Sequence, residues 1–159
     1  MKIKDFMITD VVTVTSDTRI TQLLETLVSH NIGGVPIVKE DNTLLGIVSD
    51  GDIIRYLHPK SRTVYDMFSL VMVSEKENLQ HKLEYSMEHQ VEDFMRKKGL
   101  KTVAPEDDIE KALHILSKYH FKKLPVVDED YKVVGVISRG DMIRFISTQL
   151  IKIAQNKEI

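Results

Sequence analysis

The chain alternates between segments of helical periodicity and short, almost wholly apolar segments. Within 20–28 the apolar residues recur at the spacing of one helical face, which predicts an amphipathic helix. Two apolar, β-rich runs follow at 35–38 and 44–48, joined by a polar turn, and this pattern predicts a hairpin. A second helix is predicted to begin near Ser49, where a new apolar spacing starts.

The same order of elements occurs a second time, 89 residues further along the chain. One register aligns five identical pairs without a gap: Pro36 with Pro125, Gly46 with Gly135, Ser49 with Ser138, Asp52 with Asp141, and Arg55 with Arg144. The tripeptide Asp-Phe-Met at 5–7 recurs at 93–95, at an offset of 88. Each copy also has a short extended segment before its first helix, at 11–14 and 102–104.

These observations predict an α/β (α+β) protein made of two β-α-β-β-α repeats with small sheets. A unit of about fifty residues buries too little surface to be stable alone, so we expect the two repeats to pack together.

The duplication divides the chain into four segments. Repeat 1 is assigned to 1–57, a partly helical linker to 58–90, repeat 2 to 91–150 and a C-terminal tail to 151–159. Apolar residues recur every four positions across 76–97, which predicts that this part is mostly helix.

The composition favours a globular protein over several other classes. The chain is 42% hydrophobic and 29% charged, which is enough to bury a core. Twenty-two basic residues against 24 acidic ones give a net charge of −2. This balance argues against nucleic acid as the main partner, because phosphate binding usually requires a basic excess. No apolar run approaches the roughly 18 residues of a membrane span, so we expect a cytoplasmic protein without a membrane partner.

The sequence offers no support for catalysis or for a metal site. The absence of cysteine excludes disulfides, thiolate catalysis and Cys-type zinc sites. No nucleophile elbow, P-loop or His-Glu-x-x-His motif occurs, and the six histidines lack a metal-ligand spacing supported by carboxylates. We therefore expect no enzymatic activity, no metal and no cofactor.

Each closing helix is preceded by Ser-x-x-Asp: Ser49 with Asp52, and Ser138 with Asp141. One interpretation is a helix start in which Ser is the N-cap and Asp occupies the third helical position, as in a capping box. Such a cap stabilises a helix by roughly 0.5–2 kcal/mol. A helix N-terminus is also suited to binding an anion, because its free N–H groups and its dipole favour negative charge.

Two matched pairs of motifs resemble the cystathionine-β-synthase (CBS) domain family in its tandem form, the Bateman module. Val-Pro-Ile-Val at 35–38 is followed by Gly-Ile-Val-Ser-Asp-Gly-Asp at 46–52, and Leu-Pro-Val-Val at 124–127 by Gly-Val-Ile-Ser-Arg-Gly-Asp at 135–141. The resemblance implies a pseudo-two-fold pair of the stand-alone bacterial type. Its function would be regulatory: AMP, ADP, ATP or a related adenosyl ligand would bind in clefts between the repeats.

The resemblance further implies a homodimer and an effector protein that is regulated in trans. The alternative is an oligomerisation scaffold that uses the duplicated fold only for assembly, with empty or degenerate clefts.

The resemblance also implies which residues line the two clefts. Asp52 and Asp141 would accept hydrogen bonds from ribose hydroxyls, while Ser49 and Ser138 would face the phosphate. The Asp141 cleft would also use Asp10, Val11, Val12, Ile32, Gly33, Gly34 and Val136. The Asp52 cleft would also use Ile47, Lys101, Thr102 and Phe121. Core packing is the alternative role for the apolar members of both sets.

The charges near the two motifs predict unequal clefts. Lys122, Lys123 and Arg139 lie close in sequence to Ser138, whereas Asp50 follows Ser49. A phosphate at Ser138 would therefore meet three candidate cations, and the Asp141 cleft is predicted to bind phosphorylated adenosine more tightly. An ordinary exposed pair is the alternative interpretation of the two lysines.

Overall fold

The computed structural model describes residues 1–66, 71–76 and 78–157. Within these residues, five helices and six strands follow one another in this order: α1 (Ile20–Ser29), β1 (Gly34–Val38), β2 (Leu44–Ser49), α2 (Asp50–Leu57), β3 (Ser61–Asp66), β4 (Val71–Lys76), α3 (Leu79–Ser86), α4 (Ile109–Lys118), β5 (Lys123–Val127), β6 (Val133–Ser138) and α5 (Arg139–Lys157). Short 3₁₀ helices lie at Ile3–Asp5 and Val91–Asp93. Among the described helices, none combines the length and the apolar character needed to cross a bilayer.

The two predicted hairpins form, and they share one register. β1 pairs with β2 so that Gly34 lies opposite Ser49, and β5 pairs with β6 so that Lys123 lies opposite Ser138. Each hairpin has one register shift at the equivalent place, before Val38 and before Val127. Together with the helices, these small antiparallel sheets confirm the predicted mixed α and β class.

The extended segment that opens each predicted repeat is shorter than a strand. Val14 forms a single parallel bridge to Ile37, and Val103 forms one to Val126. Val14 donates its N–H to the Pro36 carbonyl and accepts one hydrogen bond from the Val38 N–H. Each repeat was predicted to begin with a β-strand, but only one residue of that segment forms a bridge. The segment is short because the chain turns away after this contact.

The linker differs from its prediction. β3 and β4 form an antiparallel hairpin, which the sequence pattern did not indicate. The helix predicted over 76–97 is limited to α3 and ends at Ser86. Val91 instead begins a 3₁₀ turn and is fully buried among core residues of repeat 1. The last of the periodic apolar residues, Val91, thus lies beyond α3 in the 3₁₀ turn. It fills the core of repeat 1, although its own segment was assigned to repeat 2.

Each repeat buries its first turn in the core of the other repeat. Ile3 is fully buried with Leu116, Leu124 and Ile137 of repeat 2, just as Val91 is buried in the core of repeat 1. The chain then crosses back along the neighbouring hairpin. Ile8 forms an antiparallel bridge to Val136, and Arg96 forms one to Ile47.

A third apolar cluster joins the two hairpins to each other. It contains Val38, Leu44, Val127 and Val133. Next to it, the Leu44 N–H donates to the Tyr131 carbonyl at 3.0 Å, and the Val133 N–H donates to the Asn42 carbonyl at 3.1 Å. These reciprocal contacts hold the hairpins side by side, with Ser49 and Ser138 at the far ends of β2 and β6.

Replacing Gly46 with alanine is expected to destabilise the protein more than the matched Gly135→Ala. A Cβ at Gly46 would lie 2.7 Å from the backbone oxygen of Arg96, whereas a Cβ at Gly135 would meet the movable Met7 Sδ at 2.6 Å. We expect a loss of about 1–3 kcal/mol in the free energy of unfolding for Gly46→Ala and less for Gly135→Ala. Urea unfolding measures both, and equal losses would contradict the explanation.

Candidate ligand-binding clefts

Asp52 links the start of α2 to two arginines. Its Oδ2 accepts hydrogen bonds from the Ser49 N–H and hydroxyl, both at 2.9 Å. The Asp52 N–H in turn donates to Ser49 Oγ at 3.4 Å, so the predicted capping arrangement is present. Oδ1 accepts from Arg55 Nη2 at 2.6 Å and lies 3.7 Å from Arg96 Nη2.

Asp141 has the same role at the start of α5. Its Oδ2 accepts hydrogen bonds from the Ser138 N–H at 2.8 Å and from the Ser138 hydroxyl at 2.6 Å. Oδ1 forms an ion pair with Arg144, which stands one helical turn along, as Arg55 does in α2. The Asp141 side chain is 11% exposed and that of Asp52 is 13% exposed.

Capping leaves the Asp141 carboxylate partly free. A carboxylate offers about four acceptor positions, and in Asp141 three are used, by the Ser138 N–H, the Ser138 hydroxyl and Arg144. Helix capping and ligand binding therefore do not exclude each other. A single hydroxyl could be accepted at Oδ1 without breaking the cap, whereas a bidentate contact would require Arg144 to move.

The same contacts control the ionisation of both groups. Burial acts to raise the pKa of the Asp52 carboxyl, but the hydrogen bonds from Ser49 and Arg55 and the charge of Arg96 hold it below the ordinary value of 3.8. In Asp141 burial is likewise outweighed, and the hydrogen bonds from Ser138 and Arg144 lower the pKa. Both carboxylates are therefore charged at neutral pH and act as acceptors only.

The Asp141 cleft is an open pocket of about 500 Å³ between the two repeats. Repeat 1 contributes Ile8, Asn31, Ile32 and Gly33. Repeat 2 contributes Lys122, Lys123, Val136, Ser138, Arg139, Gly140, Asp141 and Arg144. Its volume lies within the range of roughly 300–1,000 Å³ that is usual for small-molecule sites.

The Asp52 cleft is much smaller, at about 90 Å³. It is lined by Gly33, Gly34, Ile47, Val48, Ser49, Gly51, Asp52, Arg55, Arg96, His120, Phe121, Lys122 and Lys123. The side chain of Arg96 occupies part of this space, with its guanidinium carbon 5.2 Å from the Phe121 ring centroid. Arg96 therefore reduces the free space between Asp52 and the Phe121 ring.

The cations are distributed differently from the sequence prediction. Lys122 and Lys123 line both clefts, and Lys122 Nζ lies 2.5 Å from Asp50 Oδ1. Arg139 donates from Nε to the Phe121 carbonyl at 2.9 Å and so supports a loop. All three predicted cations thus line the Asp141 cleft with Ser138. The expected contrast is weaker than predicted, because Lys122 and Lys123 also line the cleft beside Ser49.

Lys123 is the cation most affected by its surroundings. Its burial lowers the pKa of the ammonium group, and the nearby charge of Asp141 opposes that effect. A second negative charge in the cleft would stabilise the protonated form further.

Most of the predicted site residues lie in the clefts, but five do not. Asp10, Val11 and Val12 are outside the residues that line the Asp141 cleft; Val11 packs against the cluster between the hairpins and Val12 against the core of repeat 1. Gly34 borders the Asp52 cleft instead of the Asp141 cleft. Lys101 Nζ lies over the Tyr119 ring, and Thr102 lines a separate pocket. Ligand contacts by Asp10, Val11, Val12, Lys101 and Thr102, which line neither cleft, stay predictions.

The comparisons with known proteins agree with this architecture. The family model described as "CBS domain" matches residues 3–59 and 91–148. The chain belongs to the CBS domain family. Its tandem arrangement, predicted from the duplicated motifs, is thereby confirmed.

The relatives of this chain include a CBS domain-containing protein and an enzyme. The chain is 35% identical over 131 residues to the chloroplastic CBS domain-containing protein CBSX1 of Arabidopsis thaliana, covering 80% of this chain and 55% of that protein. It is 30% identical over 138 residues to inosine-5'-monophosphate dehydrogenase of Aquifex aeolicus, covering 87% of this chain and 23% of the enzyme. The chain thus spans about half of one relative and under a quarter of the other.

A solved structure extends the comparison. CBSX2 of Arabidopsis thaliana in complex with AMP is 28% identical, with a TM-score of 0.69 over 95% of this chain and 98% of that one. The likeness covers both repeats of this CBS pair.

The sequence reasoning missed nine of the residues that line the clefts of this CBS pair: Ile8, Asn31, Val48, Gly51, Arg55, Arg96, His120, Gly140 and Arg144. Arg55 and Arg144 were visible as a matched pair three residues after each Asp. Ile8 and Arg96 could have been found from the offset of 88 that joins the two Asp-Phe-Met tripeptides. Within the described residues, no group of three or more His, Asp or Glu side chains is arranged to hold a metal ion.

The acid stability of this CBS pair should depend on Asp52 and Asp141. Because their pKa values are lowered in the folded state, their stabilisation is complete above the ordinary value of 3.8 and is lost as the pH falls through the folded-state values. The double variant Asp52→Asn/Asp141→Asn should therefore show a shallower loss of stability below about pH 5. Urea midpoints between pH 3 and pH 7 measure this, and an unchanged slope would contradict it.

Proposed function

We propose that the chain is a regulatory module that binds an adenine nucleotide or a related adenosyl ligand in the clefts between its CBS repeats. The observation that carries the proposal is the Asp141 cleft: a charged acceptor with a free position at the start of a helix, at the edge of an open pocket of about 500 Å³. The complex of CBSX2 with AMP supports the choice of ligand class.

The chemistry of the Asp141 cleft suits a phosphorylated nucleoside. Asp141 would accept a ribose hydroxyl, and the first N–H groups of α5, together with Lys122 and Lys123, would face the phosphate. Ile8, Ile32 and Val136 form apolar walls against which a purine ring can pack. Since the Asp52 cleft offers only about 90 Å³, we expect the Asp141 cleft to bind more tightly, as the sequence also predicted.

Regulation follows from the fact that both repeats line one cleft. Ile32 and Gly33 come from repeat 1, whereas Ser138 and Asp141 come from repeat 2. A ligand that contacts both sides favours the arrangement of repeats in which those contacts are best made. An effector protein, acting in trans, would detect which of the two arrangements the repeats adopt when the ligand is bound.

No catalytic activity is part of this proposal. The Aquifex relative is an enzyme, but the chain matches only 23% of its length, as expected for a regulatory part. The ligand acts as a signal and is neither cofactor nor substrate, and a cytoplasmic location is retained as part of the proposal.

We further propose that the module forms a homodimer through the outer faces of its helices. Leu24 and Ile54 of repeat 1 are exposed, and so are their repeat 2 counterparts Leu113 and Ile143. Val28, which lies one helical turn after Leu24 on α1, is 80% exposed. An apolar patch that occurs at matched positions of both repeats suits a second copy of this chain, because a two-fold interface uses one surface twice.

Asp141→Ala should weaken the stabilisation of the protein by adenosyl ligands at the Asp141 cleft. At a hundred times its dissociation constant a ligand adds about 2.7 kcal/mol, which raises the melting temperature by roughly 5–10 °C in a chain of this size. Thermal-shift assays with AMP, ADP, ATP and S-adenosylmethionine measure the effect, with GTP as the control ligand. We expect affinity to fall roughly 10- to 100-fold, the loss of one charged hydrogen bond.

Asp107→Ala is the matched control. Asp107 also accepts a backbone N–H near a helix start, from Ala104, and pairs with Lys111, but it lies outside both clefts. It should lose stability without losing ligand response. A wild-type protein that responds to none of the ligands would overturn the proposal and favour the oligomerisation scaffold, whose clefts serve only the fold.

Ile54→Glu should convert the dimer to a monomer at micromolar concentration. A charge at this position would be buried against the partner without a counter-ion, which is strongly unfavourable. Size-exclusion chromatography with light scattering gives the mass directly. Leu79→Glu is the control, since Leu79 is 53% exposed on α3 and is not one of the patch residues. A monomeric wild-type protein, or an Ile54→Glu dimer, would contradict the assignment of this face.

A further inference from the structure

The two clefts differ at one pair of corresponding positions that lie beside their lining hairpins. Ile8 and Arg96 are related by the offset of 88, and their backbones make the same antiparallel bridge, to Val136 and to Ile47 respectively. Each side chain reaches the cleft beside that bridge. The fold therefore presents an apolar side chain to the Asp141 cleft and a guanidinium group to the Asp52 cleft.

Arg96 connects the two sides of the Asp52 cleft. Its Nη2 lies 3.7 Å from Asp52 Oδ1, and its Cζ lies 5.2 Å from the centroid of the Phe121 ring. Its backbone is fixed to Ile47 by two hydrogen bonds, of 3.0 and 3.1 Å. The side chain is 42% exposed, so it can turn toward solvent without burying an unpaired charge.

The remaining space is too small for a nucleoside. The cleft holds about 90 Å³, well below the roughly 300 Å³ of the smallest usual ligand pockets. A nucleoside must therefore displace Arg96 from Asp52 and from the Phe121 ring. The two contacts that are lost, an ion pair and a cation–π contact, must be replaced by contacts with the ligand.

We propose that Arg96 is a specificity-determining residue that admits phosphorylated adenosyl ligands to the Asp52 cleft and rejects uncharged ones. The inference rests on the proposed function and extends it to the choice of ligand. A phosphate offers the displaced guanidinium a bidentate partner, with Lys122 and Lys123 close by. Adenosine offers it none, so the displacement of Arg96 is uncompensated.

The Asp141 cleft lacks this selection. Ile8 carries no charge and makes no ion pair with Asp141, and the pocket is already about 500 Å³ in volume. It can therefore accept uncharged as well as phosphorylated adenosyl ligands. The two clefts would sort a mixture of ligands by the presence of a phosphate.

The test isolates the Asp52 cleft in an Asp141→Ala background and compares AMP with adenosine by calorimetry. We expect AMP to bind about 10- to 100-fold more tightly than adenosine, the range of one charge-assisted contact. Adding Arg96→Ile, which installs the residue type of the other cleft, should reduce that ratio to about threefold or less and strengthen adenosine binding. Lys97→Ile is the control, because it removes a charge one residue away from the cleft lining. Where Asp141→Ala does not fold, Asp141→Asn keeps an acceptor for the cap.

Inorganic pyrophosphate separates this inference from the proposed function. We expect it to bind the Asp141→Ala protein and to bind at least about tenfold more weakly after Arg96→Ile. If AMP and adenosine bind with a ratio that Arg96→Ile does not change, the role of Arg96 is overturned while the proposed function stands. If no adenosyl ligand binds the wild-type protein, the proposed function fails. Arg96-dependent pyrophosphate binding would then still support charge selection, and its absence would overturn that as well.

Discussion

The burial of each repeat's first turn in the core of the other repeat is the constraint on which the rest of the structure depends. Ile3 completes the core of repeat 2, and Val91 completes that of repeat 1. Neither core is complete without residues from the other repeat, which is a physical reason why the two repeats fold as a pair. After its buried turn the chain must cross back over the neighbouring hairpin. Gly46 leaves room for that crossing, since a side chain there would meet the Arg96 backbone.

This crossing also decides what reaches the clefts. The residue that bridges to each hairpin is brought to the mouth of the adjacent cleft, so a substitution at that position changes the site without changing the fold. Ile8 lines the larger cleft, whereas Arg96 lines the smaller one. The same backbone arrangement occurs twice and thus carries two sites that differ in size and charge.

The start of each closing helix combines stability with recognition. The same Asp oxygens that complete the cap of α2 or α5 stand at the edge of a cleft. Their lowered pKa values are caused by the Ser hydrogen bonds that cap the helix, with help from an arginine one turn along. Capping therefore supports binding, because it fixes the position and charge of the acceptor before any ligand arrives. The two interpretations of Ser-x-x-Asp are in this respect complementary.

The sequence by itself determined the duplication, the two hairpins and the capped helices, because these depend on local periodicity and on residues that repeat at a fixed offset. The resemblance of the duplicated motifs to CBS domains indicated the family and implied that Asp52 and Asp141 are cleft residues. Only the tertiary structure decided that the first turns are exchanged, that Lys122 pairs with Asp50 and that Arg96 enters the Asp52 cleft. These contacts join residues from different parts of the chain. Lys122 and Asp50 are 72 positions apart, and Arg96 and Asp52 are 44 apart. Ile3 is buried in one cluster with Leu116, which is 113 positions away. No local pattern encodes such a contact, because it forms only when the two cores pack and bring distant segments of the chain together.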